Sequence, residues 1–329
     1  MKKIIFLTEG GKKKGFGHLG RCIPIYNAFK KIHFKTKIYV HSDVKKIQIL
    51  NNKNYEIVNW QNSIHDISNA IQSADLVILD CLSISKKNYT FLLHKCKKIL
   101  IIDDRDKQVY KNNEIIVDWS IFSEKKVSLG NCTYIRGAKY APLRECFKKK
   151  DNHKIRKNII KIIITSGGSD QKNILLLIAN KLGQNYPKIN FKVLIGLGFP
   201  ALSKIKKLKK INNVKLIFSP SDKKIVSSIR SCDVAIASGG HSIYELARLG
   251  VPTIHFLVNK NQRVAEKWKE TGFTYFVGWY DKKNFMQKIS KALSKIQSIK
   301  KRKLMSKSGQ NLIKTNGANL IVAKLAKLI

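Results

Sequence analysis

The sequence predicts an α/β chain built on two doubly wound parallel sheets, and three observations carry that prediction. Short apolar runs bounded by turn residues alternate with helical patterns along all 329 residues, the order that builds parallel sheets covered on both faces. Each half holds a strand that runs into a glycine turn and then a helix: Gly15-Phe16-Gly17-His18 in the first, Ser166-Gly167-Gly168-Ser169-Asp170 and Ser238-Gly239-Gly240-His241-Ser242 in the second. Between the halves, residues 148–158 are polar, basic and free of apolar periodicity, which marks a linker and sets domains at 1–150 and 151–329.

Residues 2–8 read as a buried first strand, and helical periodicity begins at Leu19 after a loop rich in glycine and lysine. Further strands are expected at 37–41, 55–58, 76–79 and 99–102, with helices near 43–52, 61–73 and 86–96 between them. Two more strands, 114–118 and 133–136, complete the first half. In the second half the strands fall at 162–165, 191–195, 214–218, 233–237, 252–256 and 274–277. Helices are expected at 173–182, from Asn259 onward, and at 281–307 and 318–328, the last two with lysine-rich outer faces.

Composition bounds the function. Residues Ile4 to Leu7 are too short for a signal-peptide core, and no apolar stretch approaches the ~20 residues of a membrane helix, so a cytoplasmic protein is expected. The six cysteines form no C-x-x-C pair and no metal-like spacing, which predicts reduced thiols and no metal site. Lysine and arginine number 64 against 21 aspartate and glutamate, a formal charge of +43. Such a surface attracts polyanions, yet the excess is spread in twos and threes with no basic run interleaved with aromatics. That pattern reads as a solvated surface, compatible with weak peripheral contact to an anionic membrane face but not with a specific nucleic-acid interface.

In an open parallel sheet, ligands meet the carboxyl ends of the strands. Gly15, Gly17 and His18 lie at the first such crossing, and Arg21 shares the face of His18 one helical turn on. Asp80, like Asp103 and Asp104, follows a strand end. Gly168 and Ser169 occupy the second glycine turn. In the third, Gly239 and Gly240 let a backbone approach a phosphate at a helix N-terminus, and Glu245 stands one turn in, where a carboxylate can accept from a ribose diol. Each has a plainer alternative: glycine pairs end strands in ordinary α/β domains, aspartate caps helices, and a lone histidine can be purely structural.

Four stretches are together more specific: Gly15-Phe16-Gly17-His18-Leu19-Gly20-Arg21, Gly137-Ala138-Lys139-Tyr140-Ala141-Pro142-Leu143-Arg144-Glu145-Cys146-Phe147, Ser166-Gly167-Gly168-Ser169-Asp170, and Gly239 to Gln262. In content and order they resemble the UDP-2,4-diacetamido-2,4,6-trideoxy-β-L-altropyranose hydrolases of pseudaminic acid biosynthesis and their relatives among spore-coat polysaccharide proteins. The resemblance implies the GT-B architecture, two Rossmann-like domains facing a cleft, with a UDP-sugar as substrate, no cofactor and a monomeric chain. It implies that His18 activates or positions the water attacking the anomeric carbon. Gly239, Gly240 and Ser242 would hold the diphosphate, with Gly168 and Ser169 also on the substrate, Glu245 on the uridine ribose, and Asn261 and Gln262 on the sugar side. Arg144 would lie where the domains meet. Two positions depart from the family pattern: Asp80-Cys81-Leu82 lacks a tyrosine after the aspartate, and His241 replaces a small residue. Both bear on the sugar more than on the nucleotide, and a protonated His241 could join the helix N-terminus in stabilising departing UDP. The alternatives are a GT-B glycosyltransferase using a nucleotide sugar and, in another class, a basic nucleic-acid-binding protein, against which the ordered glycine turns argue.

Overall fold

The structure is a computed structural model and describes residues 1–104, 110, 112–148, 153–168, 170, 172–196, 198–199, 211–314 and 316–329. The chain divides into two compact units, Met1–Arg144 with Asn316–Ile329, and Glu145–Thr315. The cut expected near residue 150 therefore lies a few residues earlier, and the last helix belongs to the first unit.

The first unit carries a seven-stranded, wholly parallel sheet in the order β3-β2-β1-β4-β5-β6-β7. Its strands are β1 (Lys3–Glu9), β2 (Lys35–His41), β3 (Tyr55–Ile57), β4 (Leu76–Asp80), β5 (Ile99–Ile102), β6 (Ile115–Asp118) and β7 (Thr133–Arg136). Every residue of β4, β5 and β6 is buried, as expected for parallel strands covered on both faces. Alternation along β1 shows the two layers: Phe6 packs on Tyr26 and Phe29 of helix α1 (Gly17–Lys31), whereas Ile5 and Leu7 share a core with Ile71 of α2 (Ser68–Ser73) and Leu92 of α3 (Lys86–Lys95).

Not every expected helix forms. The stretch 43–52 contains only a 3-10 turn at Gln48–Leu50, because its apolar pair, Ile47 and Leu50, is spaced i, i+3 and is buried by that single turn.

The second unit carries a six-stranded parallel sheet, β10-β9-β8-β11-β12-β13. The strands are β8 (Lys161–Thr165), β9 (Asn190–Ile195), β10 (Val214–Phe218), β11 (Val234–Ser238), β12 (Thr253–Leu257) and β13 (Thr274–Trp279). This is the dinucleotide-fold order, with the strand order reversing between β8 and β11. Its helices are α4 (Ile174–Asn185), α5 (Asp222–Arg230), α6 (Ser242–Leu249), α7 (Phe285–Lys295) and α8 (Ile299–Leu312). The helix expected over 281–307 is thus two, broken where Ser298 turns its hydroxyl to accept from the Lys301 amide and starts α8. The helix expected from Asn259 is a run of 3-10 turns, Lys260–Thr271. Among the described residues no helix is long and apolar enough to cross a membrane.

Helix α9 (Gly317–Leu325) closes the first unit by lying against α1. The Gly317 amide donates to the Ala141 carbonyl at 3.0 Å, and Asn316 Nδ2 donates to the Leu143 carbonyl at 2.9 Å. The approach is so close that a Cβ on Gly317 would stand 2.1 Å from the Tyr140 carbonyl carbon. Gly317→Ala is therefore expected to destabilise the first unit by about 1–3 kcal/mol, the usual cost of overpacking, read as a lowered urea midpoint.

Within β12, His255 is wholly enclosed: Nε2 donates to the Ala265 carbonyl at 3.0 Å, the ring stacks on Phe276, and Nδ1 has no hydrogen-bond partner among the described residues. Burial pushes its pKa down to about 3, so the folded chain keeps it neutral while the unfolded chain protonates it near pH 6.5. Its contribution to stability is complete above pH 6.5 and is lost as the pH falls from there toward 3, by at most about 1.4 kcal/mol per pH unit. His255→Gln should flatten that slope relative to the unaltered protein in urea unfolding between pH 6.5 and 4.

Candidate active site

Strands β1 and β4 are neighbours in register, with Thr8 opposite Asp80, so Glu9 and Asp80 reach the same carboxyl edge of the sheet. Helix α1 starts from that edge after a loop closed by a Gly11–Gly15 bridge, with Gly15 at φ +74°. Added Cβ atoms on Gly17 and Gly20 would meet nothing within 4 Å. His18 is the second residue of α1, and Arg21 follows one turn later on the same face.

Asp80 has no solvent exposure, and its carboxylate collects the surrounding donors. Arg21 Nε donates to Oδ2 at 2.7 Å and Arg21 Nη2 donates to Oδ1, while His18 Nδ1 lies 2.8 Å from Oδ1. Arg21 reaches Asp104 through Nη1 at 2.8 Å and lies over the Trp119 ring at 5.4 Å. Burial alone would raise the Asp80 pKa, but the Arg21 charge and the hydrogen bonds from Arg21 and His18 hold it well below the usual carboxylate range. Arg21 stays charged, with Asp104 and Asp80 outweighing the cost of its burial. An ionised carboxylate can only accept, so the His18 proton sits on Nδ1 and Nε2 is the basic nitrogen. The 3.1 Å approach of Arg21 Nη2 to Nδ1 is then a contact between two donors that share Oδ1.

Arg21 and Asp80, expected against substrate, are buried and paired with each other and with His18. Their burial and mutual pairing is what residue spacing could not show. On the far side of the imidazole, Nε2 is 3.8 Å from Glu9 Oε1. Glu9, Lys14 and Trp119 were not singled out from sequence, although Glu9 and Trp119 stand at strand ends, the one signal that could have found them.

In the second unit the two glycine turns come together. Gly167, at φ +82°, places its missing Cβ 3.5 Å from Ser242 Oγ. Gly168 accepts from the Gly198 amide at 3.0 Å, and Ser169 lies outside the described residues. Asp170 Oδ1 accepts from the Ile174 amide and Oδ2 from the Leu175 amide, both at 2.9 Å, so the chain's own carboxylate fills the N-terminus of α4. Helix α6 differs: it follows His241, which makes no side-chain cap. The backbone ahead of it is tightly folded, Gly239 donating to Phe256 and Gly240 to Ser238. A Cβ on Gly239 would stand 2.7 Å from Leu257 and 3.0 Å from Ala265, whereas one on Gly240 would meet nothing within 4 Å. The open face of the turn is therefore Gly240, His241 and Ser242 at the start of α6, the geometry that receives an anion.

His241 stacks on Tyr244 at 5.3 Å, and Tyr244 meets Trp268 edge to face at 5.0 Å. Glu245 is buried one turn into α6, at 6% exposure. Gln262 abuts Gly239, its Oε1 accepting from the Val258 amide at 2.9 Å, while Asn261 stands exposed beside it. Arg144 ends the segment on which α9 docks.

No family model matches the chain. It is 27% identical over 284 residues to an uncharacterised protein of Methanocaldococcus jannaschii, covering 79% of this chain and 57% of that one. It is 23% identical over 266 residues to the pseudaminic acid cytidylyltransferase and UDP-2,4-diacetamido-2,4,6-trideoxy-β-L-altropyranose hydrolase of Helicobacter pylori, covering 80% and 44%. The chain thus spans about half the length of these two relatives. To the UDP-2,4-diacetamido-2,4,6-trideoxy-β-L-altropyranose hydrolase of Campylobacter jejuni it is 25% identical over 277 residues, covering 81% and 95%. Among solved structures, Acinetobacter baumannii MurG superposes with a TM-score of 0.69 at 10% identity over 99% of this chain and all of that one. Staphylococcus aureus MnaA in complex with UDP gives 0.67 at 13% identity over 100% and 98%. The fold is therefore that of the two-unit, Rossmann-like GT-B enzymes, and the chain is a distant relative of proteins named as hydrolases of a UDP-linked diacetamido-trideoxy sugar.

Proposed function

We propose that the protein hydrolyses a UDP-linked 2,4-diacetamido-2,4,6-trideoxyhexose, releasing UDP and the free sugar in nonulosonic acid biosynthesis. The observation that carries this reading is the 2.8 Å contact of His18 Nδ1 with buried Asp80, which favours a proton on Nδ1 and turns Nε2 to the sheet edge as the base. The relatives named as hydrolases supply the substrate class.

Water attacks the anomeric carbon as its proton passes to His18 Nε2, and the carbon–oxygen bond to the diphosphate breaks with its electron pair leaving on UDP. Such an oxocarbenium-like transition state needs stabilisation of the departing diphosphate more than a strong acid. The start of α6, at His241 and Ser242, provides amide donors and the positive end of the helix dipole for that charge, with Ser242 Oγ beside it. Glu245 takes the ribose hydroxyls, and Asn261 and Gln262 the sugar. The GT-B glycosyltransferase alternative shares this nucleotide site and differs in its acceptor. Nuclear magnetic resonance of a panel of UDP-sugars with water as sole acceptor separates the two: free sugar and UDP identify the hydrolase, and an unchanged panel overturns it.

Two substitutions test the division of labour. His18→Asn should lower kcat about 10²–10⁴-fold, as loss of a general base does, while UDP affinity by calorimetry is unchanged; retained turnover would remove His18 from the chemistry. Glu245→Ala should weaken UDP binding about tenfold, in line with loss of hydrogen bonds to a charged acceptor, and equal affinity would take Glu245 away from the ribose.

A further inference from the structure

Glu9 closes β1 and approaches His18 from the side of the ring opposite Asp80, with Oε1 3.8 Å from Nε2 and its side chain 3% exposed. It is held rigidly. Oε1 accepts from the Leu82 amide at 2.7 Å, and Oε2 accepts from Lys14 Nζ at 2.5 Å and Gln61 Nε2 at 3.1 Å. Burial pushes the Glu9 pKa up, but the hydrogen bonds from Lys14 and the Leu82 amide bring it below the ordinary value, so the group is an anion at neutral pH.

The charged groups around His18 come from every neighbouring element: Arg21 on its own helix, Asp80 at the end of β4, Asp104 after β5, Glu9 at the end of β1, Lys14 in the loop, and His41 at the end of β2 beyond Glu9 and Lys14. They fall into two sets. On the side where Nδ1 is bound, Arg21 pairs with both Asp80 and Asp104. On the Nε2 side Glu9 is matched by Lys14, whose side chain is 31% exposed and screened accordingly. When Nε2 gains a proton, Glu9 Oε1 faces it across 3.8 Å.

We propose that Glu9 is a positioning residue for the hydrolysis, stabilising the imidazolium formed when His18 Nε2 takes the proton of the attacking water, with Lys14 setting the strength of that stabilisation. The O–H bond of water breaks, the N–H bond at Nε2 forms, and the new cation faces a fixed carboxylate across 3.8 Å in a buried site. This rests on the hydrolase reading above.

The two charges predict shifts of opposite sign. Glu9→Gln removes the anion, so the His18 pKa and the acid limb of kcat/KM should both move down by about one pH unit, with kcat reduced about tenfold and KM unchanged. Lys14→Met leaves Glu9 unmatched and should move both upward. The His18 titration is followed directly by resonance of ring-labelled histidine, assigned among the eight histidines by the signal missing in His18→Asn. This readout needs no substrate. Shifts in opposite directions support the proposal. An unchanged His18 titration in both variants of an enzyme that still hydrolyses UDP-sugar overturns it alone. Opposite shifts in a protein that hydrolyses no UDP-sugar overturn the hydrolase reading and leave the Glu9–His18 coupling standing.

Discussion

A carboxylate without solvent contact stands at the end of β4, and the first unit's site is arranged around the need to neutralise it. Asp80 could not remain ionised there alone, because burying an unpaired charge costs several kcal/mol. Arg21 supplies the counter-charge through two of its nitrogens, and Asp104 and the Trp119 ring then hold the rest of that guanidinium. Once this network is closed, His18 Nδ1 is held 2.8 Å from the Asp80 carboxylate. The catalytic geometry of the proposed reaction is thus a by-product of an electrostatic requirement in the core of the sheet.

The second unit solves a different problem at its two glycine turns. Both lead into helices whose first amides need partners, but α4 receives a carboxylate from Asp170, whereas His241 ahead of α6 makes no side-chain cap. A helix N-terminus already filled by an anion of the chain is closed to an anionic ligand; the one introduced by Gly240 and His241 is the end proposed to receive the diphosphate. The far end of the same helix is anchored firmly. Arg248, 5% exposed, donates to the carbonyls of Phe147, Lys148, Ile313 and Lys314, binding the chain segments that enter and leave this unit to the end of α6.

Glycine appears in this chain for two separate physical reasons. Gly239 and Gly317 are required because other atoms of the protein occupy the place of a side chain, Leu257 and Ala265 in one case and the Tyr140 backbone in the other. Gly240 has open space instead, which is what a ligand-facing position looks like. The stretch from Gly137 to Arg144 likewise acquires a structural meaning, since its carbonyls at Ala141 and Leu143 receive the N-terminus of α9.

The strands were legible in the sequence because parallel strands buried on both faces need short unbroken apolar runs, and all thirteen lie within a few residues of their expected places. The glycine turns and the histidine behind the first were legible for the same local reason. What the amino-acid order could not reveal was partnership across the fold. Asp80 looked like a ligand contact until its neighbours were known, Glu9 looked like the end of a strand, Asp170 and His241 followed glycine pairs of similar appearance, and the last helix showed an apolar face with nothing to say which core it joins. Sequence by itself determined which segments are strand or turn, since periodicity and backbone preference act over a few residues. Only the tertiary structure decided which charges meet, because pairing and desolvation depend on residues such as Arg21 and Asp80, 59 positions apart, that the parallel sheet brings to a single edge.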